Sequence, residues 1–441
     1  MICNKQMKYS WHFLKRKITS SDVAKRLIKG SFWSFTGTAL GKLIVLLSGV
    51  ICARILGKAA YGEFGMVRST INMFVVVGFA GLGLTASKYI SEYKAHQKEK
   101  IGSIYLLTNG FAYLTGILVT LLVLFLAPFL AVNTLHAPNL ITPIRIGAIL
   151  LFVTVLDGAQ NGTLSGFEDF KSIAINTFLG SVAESLLMIL GGFLYGVTGA
   201  ILGYGMGYIV LFVGNQFAIR RNFKQYGIAV NRTSFNQKDL RLLYTFSLPA
   251  MLSSLMITPI YWIVRSLLVR ANGFSELAAY EAADQWKVII LFIPSAVSQV
   301  VLPILSSMVK TETKNFWKIL NINMLLNGGI ALCFSLLICL FSSPIMKMYG
   351  NDYSDPWPLI ILALSTVLTA ISGVIGLSIS SRAKMWTGFG FNFLWGLMVV
   401  AFSFLFLKQG LGATGVALAI LCSYAVHATL QLTYLKASIK L

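Results

Sequence analysis

The sequence predicts an all-α polytopic membrane protein, with about twelve transmembrane helices in two pseudo-symmetric six-helix lobes around a central cavity. Three observations predict this fold: the composition, the spacing of apolar runs, and an internal similarity between the two halves. The 441 residues are 56% hydrophobic and 12% charged, whereas soluble domains carry roughly 25% charged residues. Long apolar runs favour a helical bundle over a β-barrel, whose strands alternate apolar and polar residues over about ten positions.

The apolar runs are long enough for twelve membrane crossings of about 20 residues each. They lie at residues 31–53, 61–84, 101–126, 141–164, 172–194, 197–219, 244–269, 284–307, 317–341, 357–380, 387–407 and 412–435. The longest basic connection, from Arg220 to Arg241, divides the crossings six and six. The expected domains are a basic N-terminal segment (1–29), a first lobe (30–220), a linker (221–243) and a second lobe (244–441).

Two local matches relate the halves. An Ala-Ala-Tyr run followed by a cation seven residues after the tyrosine occurs at 59–68 and again at 278–287. A Gly-x-Thr-Gly run with a tyrosine ten residues after the threonine occurs at 196–208 and at 412–424. With an even number of crossings per copy, both copies insert the same way up, so their symmetry axis runs along the membrane normal. Such repeats enclose a cavity between two lobes.

The net charge of +21 reflects membrane topology and contact with anionic lipids, and we expect no nucleic-acid partner. Most of the 36 lysines and arginines fall in one alternate set of connecting segments, at 1–29, 86–100, 165–172, 219–243, 308–318, 381–386 and 436–441. The opposite set holds only Arg54, Lys58, Arg270, Lys347 and Lys408. Because basic loops stay in the cytoplasm, both termini are expected there.

The sequence contains no motif typical of an enzyme active site. The four histidines are scattered, and the five cysteines show neither zinc-ligand spacing nor a disulfide framework. Residues 36–42 superficially resemble a phosphate-binding loop, but Thr36 stands where the first glycine is needed and Leu43 follows the lysine. We therefore expect no enzyme activity, no metal and no cofactor.

Charged residues inside the predicted crossings are the candidate functional residues. Even on a lenient scale, such a residue costs about 2.5–3.5 kcal/mol at the centre of a membrane helix, so it must face protein or water. Five cations meet this description, together with two acids: Lys42, Arg68, Arg145, Arg265, Lys287, Glu184 and Asp157. The cations are expected to bind an anionic substrate, and Glu184 or Asp157 to be a titratable partner in ion or proton coupling.

Structural roles compete with this interpretation. Arg145 and Arg265 lie near enough to the outer interface to extend toward water, and Lys287 has Asp284 three residues before it as a partner on the same helix face. Glu184 could neutralise Lys42. Lys42, about 18 Å from the cytoplasmic end of its helix at 1.5 Å per residue, and Arg68 favour the functional role. With five cations and two acids, not all of these cations can be paired internally.

Several stretches resemble the polysaccharide-biosynthesis flippases, the Wzx-type O-antigen and capsule transporters. The resemblance rests on Arg-Ile-Leu-Gly at 54–57, Ala-Tyr-Gly-Glu-Phe-Gly at 60–65 and Gly-Leu-Gly-Leu-Thr-Ala-Ser-Lys-Tyr-Ile at 81–90, with weaker matches at 246–250 and 349–350. It implies the multidrug/oligosaccharidyl-lipid/polysaccharide exporter fold in the bacterial inner membrane. It also implies movement of an undecaprenyl-diphosphate-linked oligosaccharide between leaflets, powered by a proton or sodium gradient if a gradient is used. Other polysaccharide-assembly membrane proteins are potential partners.

Two alternative functions remain at this point. A multidrug or small-molecule exporter of the same fold would favour acidic intramembrane residues, because its substrates are cationic. A membrane-embedded glycan polymerase or ligase would need a large outer loop. The bounds of the predicted crossings leave outer loops of at most about 20 residues.

Overall fold

The computed structural model describes residues 22–79, 81–229, 256–307, 313–382 and 384–438. Within these ranges the chain forms thirteen α-helices and no β-strand. Three parts of the predicted organisation lie outside the described residues: 1–21 of the basic N-terminal segment, 230–243 of the linker and 244–255 of the seventh crossing.

The first lobe contains six helices. They are α1 (Asp22–Leu56), α2 (Lys58–Phe79), α3 (Leu82–His96), α4 (Glu99–Pro128), α5 (Ile141–Phe167) and α6 (Phe170–Tyr226). A π-helical turn, Phe129–Thr134, extends α4. The second lobe contains α7 (Ile257–Asn272), α8 (Phe274–Ser307), α9 (Thr313–Leu340), α10 (Ser342–Tyr349), α11 (Trp357–Ser381), α12 (Met385–Lys408) and α13 (Gly412–Ser438).

Helix α6 contains two of the predicted crossings. Its path reverses at Tyr195 and Gly196, where Gly196 has φ 57° and ψ −140°, a conformation that is readily available only to glycine. The two arms then pack so closely that a Cβ on Gly191 or Gly199 would overlap the carbonyl of the other. The turn therefore depends on glycines both at its tip and along its seam.

Every predicted crossing has a helical counterpart among the described residues, although the seventh is seen only from Ile257 onward. Within the described ranges, eight helices are long and apolar enough to cross a membrane by length and composition, with α6 counted once. The remaining crossings correspond to α2 with α3, to α7 and to α8. The hydropathy pattern placed the start of the eighth crossing at residue 284, but α8 begins at Phe274. Glu276 and Glu281 lower the hydropathy of this first part of the helix, so the apolar run was recognised only from residue 284 onward.

The lobes meet along α2 and α8. A Cβ on Gly62 would overlap the carbonyl oxygen of Phe274, and a Cβ on Gly65 would lie 2.7 Å from Glu281 Cγ. These two glycines of α2 therefore let α8 approach the first lobe at backbone distance. At the far end of the molecule, the rings of Phe35 and Phe292 touch with centroids 5.0 Å apart.

The two membrane faces differ in charge. We call the face where the basic connections lie, including those between α3 and α4 and between α5 and α6, the basic face. We call the other, which carries the ends of α1, α7 and α12, the opposite face. The Gly62–Phe274 contact lies near the opposite face, and the Phe35–Phe292 contact lies toward the basic face. A cavity remains between these two contacts.

Candidate functional site

The cavity between the lobes has a volume of about 620 Å³, within the roughly 300–1,000 Å³ usual for ligand pockets. Helices α1, α2 and α6 form its wall in the first lobe, and α7 and α8 form its wall in the second. Its charged lining consists of Lys42, Arg68, Glu184, Arg265, Glu281, Asp284 and Lys287. Four of the five predicted cations are therefore brought together.

A row of alternating charges crosses the cavity from one lobe to the other. Arg68 Nη2 lies 2.7 Å from Glu281 Oε2, and Arg265 Nε lies 2.5 Å from Glu281 Oε1. Arg265 Nη2 lies 3.1 Å from Asp284 Oδ2, and Lys287 Nζ lies 2.5 Å from Asp284 Oδ1. Each carboxylate thus forms ion pairs with two cations, an arrangement that compensates charges held away from water.

The ion pairs of this row show which of the predicted cations are neutralised. Arg265, Glu281, Asp284 and Lys287 all belong to the second lobe, and their formal charges cancel. The pairing considered for Lys287 and Asp284 is present, and Arg265 is also paired. Arg68 is left as the surplus cation of the row, and it comes from the first lobe.

Lys42 is the second surplus cation. It lines the cavity from α1, and it makes no ion pair with any carboxylate in the described part of the chain. The neighbouring Gly41 packs against Ser181 of α6, where a Cβ would lie 2.8 Å from the serine oxygen. This contact holds α1 and α6 side by side and keeps Lys42 in the cavity wall.

The two acids predicted for coupling lie in different surroundings. Glu184 lines the cavity from α6, and no hydrogen bond or ion pair joins it to Lys42. Asp157, on α5, is 3% exposed. Neither of its carboxylate oxygens has a hydrogen-bond partner among the described residues. Asp157 is therefore a buried residue of the first lobe, outside the cavity lining.

Arg145 is the one predicted cation that the structure does not bring to the cavity. It is exposed, near the start of α5 at the opposite face. This position agrees with the alternative interpretation, in which the side chain extends toward the membrane interface.

Sequence reasoning missed Glu281 as a site residue, because hydropathy placed residue 281 in a loop. The internal match contained a usable signal, since it aligned 278–287 with 59–68. Helix α2 begins at Lys58, so the same alignment predicts a helix across Glu281. In that helix Glu281, Asp284 and Lys287 share one face, at three-residue spacing.

Hydrogen bonds between the lobes also lie near the row of charges. Trp262 Nε1 donates to Thr70 Oγ1 at 2.9 Å. Gln285 donates to the Tyr61 hydroxyl and accepts from the Tyr349 hydroxyl at 3.0 Å. The bonds to Thr70 and Tyr61 link α2 to α7 and α8, so they support the approach of the lobes that Gly62 and Gly65 permit, whereas the Tyr349 bond lies within the second lobe.

Three cations at the opposite face also form hydrogen bonds between the lobes. From the first lobe, Arg54 Nε donates to the Met348 carbonyl at 2.6 Å and Lys58 Nζ to the Asp352 carbonyl at 3.0 Å. From the second lobe, Arg270 Nε donates to the Thr134 carbonyl at 2.6 Å. Together these contacts, which we call the carbonyl latch, join the lobes at the opposite face in both directions.

Comparison with protein families identifies one matching model, described as "Polysaccharide biosynthesis protein", over residues 27–309. The EPS I polysaccharide export inner membrane protein EpsE of Ralstonia nicotianae is 27% identical over 45% of this chain and 48% of its own length. The chain thus spans about half of that relative. The putative O-antigen transporter of Shigella flexneri is 22% identical over 74% of this chain and 78% of its own.

The fold is that of known transporters. A multidrug resistance MATE family transporter of the MOP superfamily, solved in an inward-facing conformation, has a TM-score of 0.79 at 19% identity. The similarity covers 90% of this chain and 94% of that one. The two-lobe architecture predicted from the sequence is therefore confirmed.

Proposed function

Because this chain belongs to the polysaccharide biosynthesis protein family, we propose that it moves an undecaprenyl-diphosphate-linked oligosaccharide across the bacterial inner membrane. The cargo would serve the synthesis of O-antigen, capsule or a related surface polysaccharide. Transport of polysaccharide-related material is the activity named for its relatives, and the cationic side chains of the cavity favour an anionic, lipid-linked form of that cargo.

The charge of the cavity is the observation that carries this proposal. A diphosphate cannot enter hydrocarbon without a large desolvation cost, and it is bound most strongly by cationic donors such as guanidinium. Arg68 and Lys42, both from the first lobe, are the cations left after Arg265 and Lys287 balance Glu281 and Asp284. With Glu184 ionised, the charged lining has a formal charge of +1. We assign the diphosphate to them, and we assign Arg265 and Lys287 to neutralising Glu281 and Asp284.

The neutral polar lining suits the sugars. Hydroxyl and amide groups face the same cavity from both lobes, and they can donate and accept hydrogen bonds with sugar hydroxyls. They are Thr38, Ser69, Asn72, Thr177, Ser181, Tyr204, Tyr208, Thr258, Tyr261 and Gln285.

The transport cycle we propose is alternating access between the two lobes. The basic face is the cytoplasmic face, following the distribution of lysine and arginine, so both termini are cytoplasmic. The carbonyl latch then closes the outer end of the cavity, and loading from the cytoplasm requires the Phe35–Phe292 contact toward the other end to open. Release on the outer side requires the bonds of the carbonyl latch to break and the lobes to separate there.

Energy coupling is assigned to the first lobe. A proton on Glu184 would remove the one negative charge that this lobe contributes to the cavity. The formal charge of the lining would then rise from +1 to +2, which favours the diphosphate. Asp157, buried without a partner among the described residues, is the second candidate for a proton or sodium ion.

The alternative of a drug exporter has less support. Its cationic substrates would need a cavity in which acids outnumber cations, whereas four cations and three acids line this one. Glu281 and Asp284 are each held by two cations, which leaves Glu184 as the lining carboxylate without an ion pair among the described residues. A polymerase or ligase has less support still, because the relatives are named for export and transport.

Deletion of the gene, followed by analysis of lipid-linked intermediates, tests the function. We expect undecaprenyl-linked oligosaccharide to accumulate on the cytoplasmic leaflet and surface polysaccharide to be lost. Lys42→Ala or Arg68→Ala should fail to restore it at normal protein levels. Arg145→Ala, which removes a cation outside the cavity, is the matched control and should restore it. Normal display with both cavity variants would contradict the proposal.

A further inference from the structure

We propose that the Arg68–Glu281 ion pair is an anion-sensitive lock between the lobes: a diphosphate that binds Arg68 displaces Glu281 and releases α8 from α2. This inference rests on the anionic cargo proposed above. It gives Glu281 the role of a positioning residue, acting through Arg68.

Exposure decides which partner an incoming anion can reach. The Arg68 side chain is 20% exposed, whereas that of Glu281 is 2% exposed. An anion in the cavity can therefore contact the arginine while the glutamate lies behind it. A diphosphate offers several oxygens to the planar guanidinium and can pair with it in bidentate fashion. Lys42, in the same cavity, adds a second cation for that anion.

Charge balance makes the exchange possible. If Glu281 loses Arg68, it keeps Arg265 at 2.5 Å, and the four charges of the second lobe still cancel. After the lobes separate, the second lobe holds a neutral quartet of charges, Arg265, Glu281, Asp284 and Lys287. The first lobe holds the diphosphate through Arg68. Glu281 is therefore not left buried and unpaired, which is the usual cost of breaking a buried ion pair.

The position of Glu281 connects this exchange to movement. Its side chain occupies the space left by Gly65, at the point where α8 lies against α2. Arg68 is the only cation of the first lobe that pairs with a carboxylate of the second among the described residues. Loss of this pair leaves the neutral bonds of Trp262 and Gln285 and the carbonyl latch to hold the outer end.

Distances between spin labels at Tyr195 and Gln409, both exposed at the opposite face, test the lock in purified protein. The background replaces the native cysteines and must still display polysaccharide. Inorganic pyrophosphate is the probe, with sodium chloride at equal ionic strength as the control. We expect pyrophosphate to raise the ratio of long to short distances by about 5- to 150-fold, the range usual for coupling between sites.

Glu281→Gln should raise the same ratio without any anion. By linkage, it should also tighten pyrophosphate binding by the same factor, measured by calorimetry. Arg68→Gln, which leaves the second-lobe quartet balanced, provides a second variant if Glu281→Gln does not fold. It should open the outer end and abolish the response to pyrophosphate. Unchanged distances in both variants, or no response of the unmodified protein to pyrophosphate, would overturn the lock.

These outcomes are separable from those for the proposed function. If deletion causes lipid-linked intermediates to accumulate but the distances do not respond, the transport proposal stands and the lock is wrong. If pyrophosphate opens the outer end but deletion leaves the intermediates unchanged, the lock stands and the assigned cargo is wrong.

Discussion

Arg68 of α2 and Glu281 of α8 form an ion pair of 2.7 Å that links the first lobe to the second. The same carboxylate also accepts from Arg265, so one acid joins a cation of each lobe. The residues lie far apart in sequence, and their meeting depends on glycines that let two helices come together.

Gly65→Ala should weaken the docking of the lobes. Its Cβ would lie 2.7 Å from Glu281 Cγ, and overpacking of this kind costs about 1–3 kcal/mol. We expect a lower unfolding temperature and reduced surface polysaccharide. Gly110→Ala in α4 is the control, because a Cβ there meets nothing within 4 Å. Equal behaviour of the two variants would show that the close approach has no consequence.

Loss of the carbonyl latch should open the opposite face. Each latch bond is worth about 0.5–1.5 kcal/mol, so the double variant Arg54→Ala, Arg270→Ala should increase the population with separated outer ends. Accessibility of a cysteine introduced at Ser69, which lines the cavity, to a membrane-impermeant thiol reagent measures this. Lys408→Ala is the control, since Lys408 lies over the Phe404 ring of its own helix. Equal labelling of the double variant and the control would count against the latch.

Arg265→Ala should destabilise the protein itself. It would remove a cation from both Glu281 and Asp284, and breaking a buried ion pair by removing one partner costs about 3–5 kcal/mol. We expect little folded protein, in contrast to Lys42→Ala, which breaks no ion pair in the described structure. Protein level in membranes and thermal unfolding in detergent distinguish the two. A stable Arg265→Ala variant would mean that the quartet contributes little to folding.

Asp169→Ala should destabilise the start of α6 at the basic face. Asp169 caps this helix by accepting from the Ser172 amide at 3.3 Å, and loss of such a cap costs about 1 kcal/mol. Burial raises the pKa of Asp169, but hydrogen bonds from Asn222 and Ser172 and the charge of Arg221 outweigh it and leave the pKa lowered. The stabilisation is therefore present above the ordinary pKa of 3.8 and is lost as the pH falls below it.

Thermal unfolding of detergent-solubilised protein at neutral pH and near pH 3 checks this prediction. The difference in unfolding temperature between the unmodified protein and Asp169→Ala should be smaller at the lower pH. The same difference in unfolding temperature at both pH values would show that the charge of Asp169 does not contribute to stability.

The internal match explains why part of the site could be found from the sequence. It paired Arg68 with Lys287, and both now line the same cavity from corresponding helices, α2 and α8. Intramembrane charge alone identified Lys42, Arg68, Arg265 and Lys287, because such residues are too costly to leave in lipid. The same criterion also selected Arg145, whose position near the membrane interface removes that cost.

Composition and hydropathy determined that this chain is a helical membrane protein of two six-crossing halves, because each crossing must bury its own backbone in a short apolar run. They also identified the intramembrane cations. The tertiary structure alone decided which cations are neutralised, since pairing depends on side chains brought within a few ångströms across helices. It placed Glu281 between Arg68 and Arg265, left Lys42 and Arg68 as surplus charges, and set Asp157 apart from the cavity.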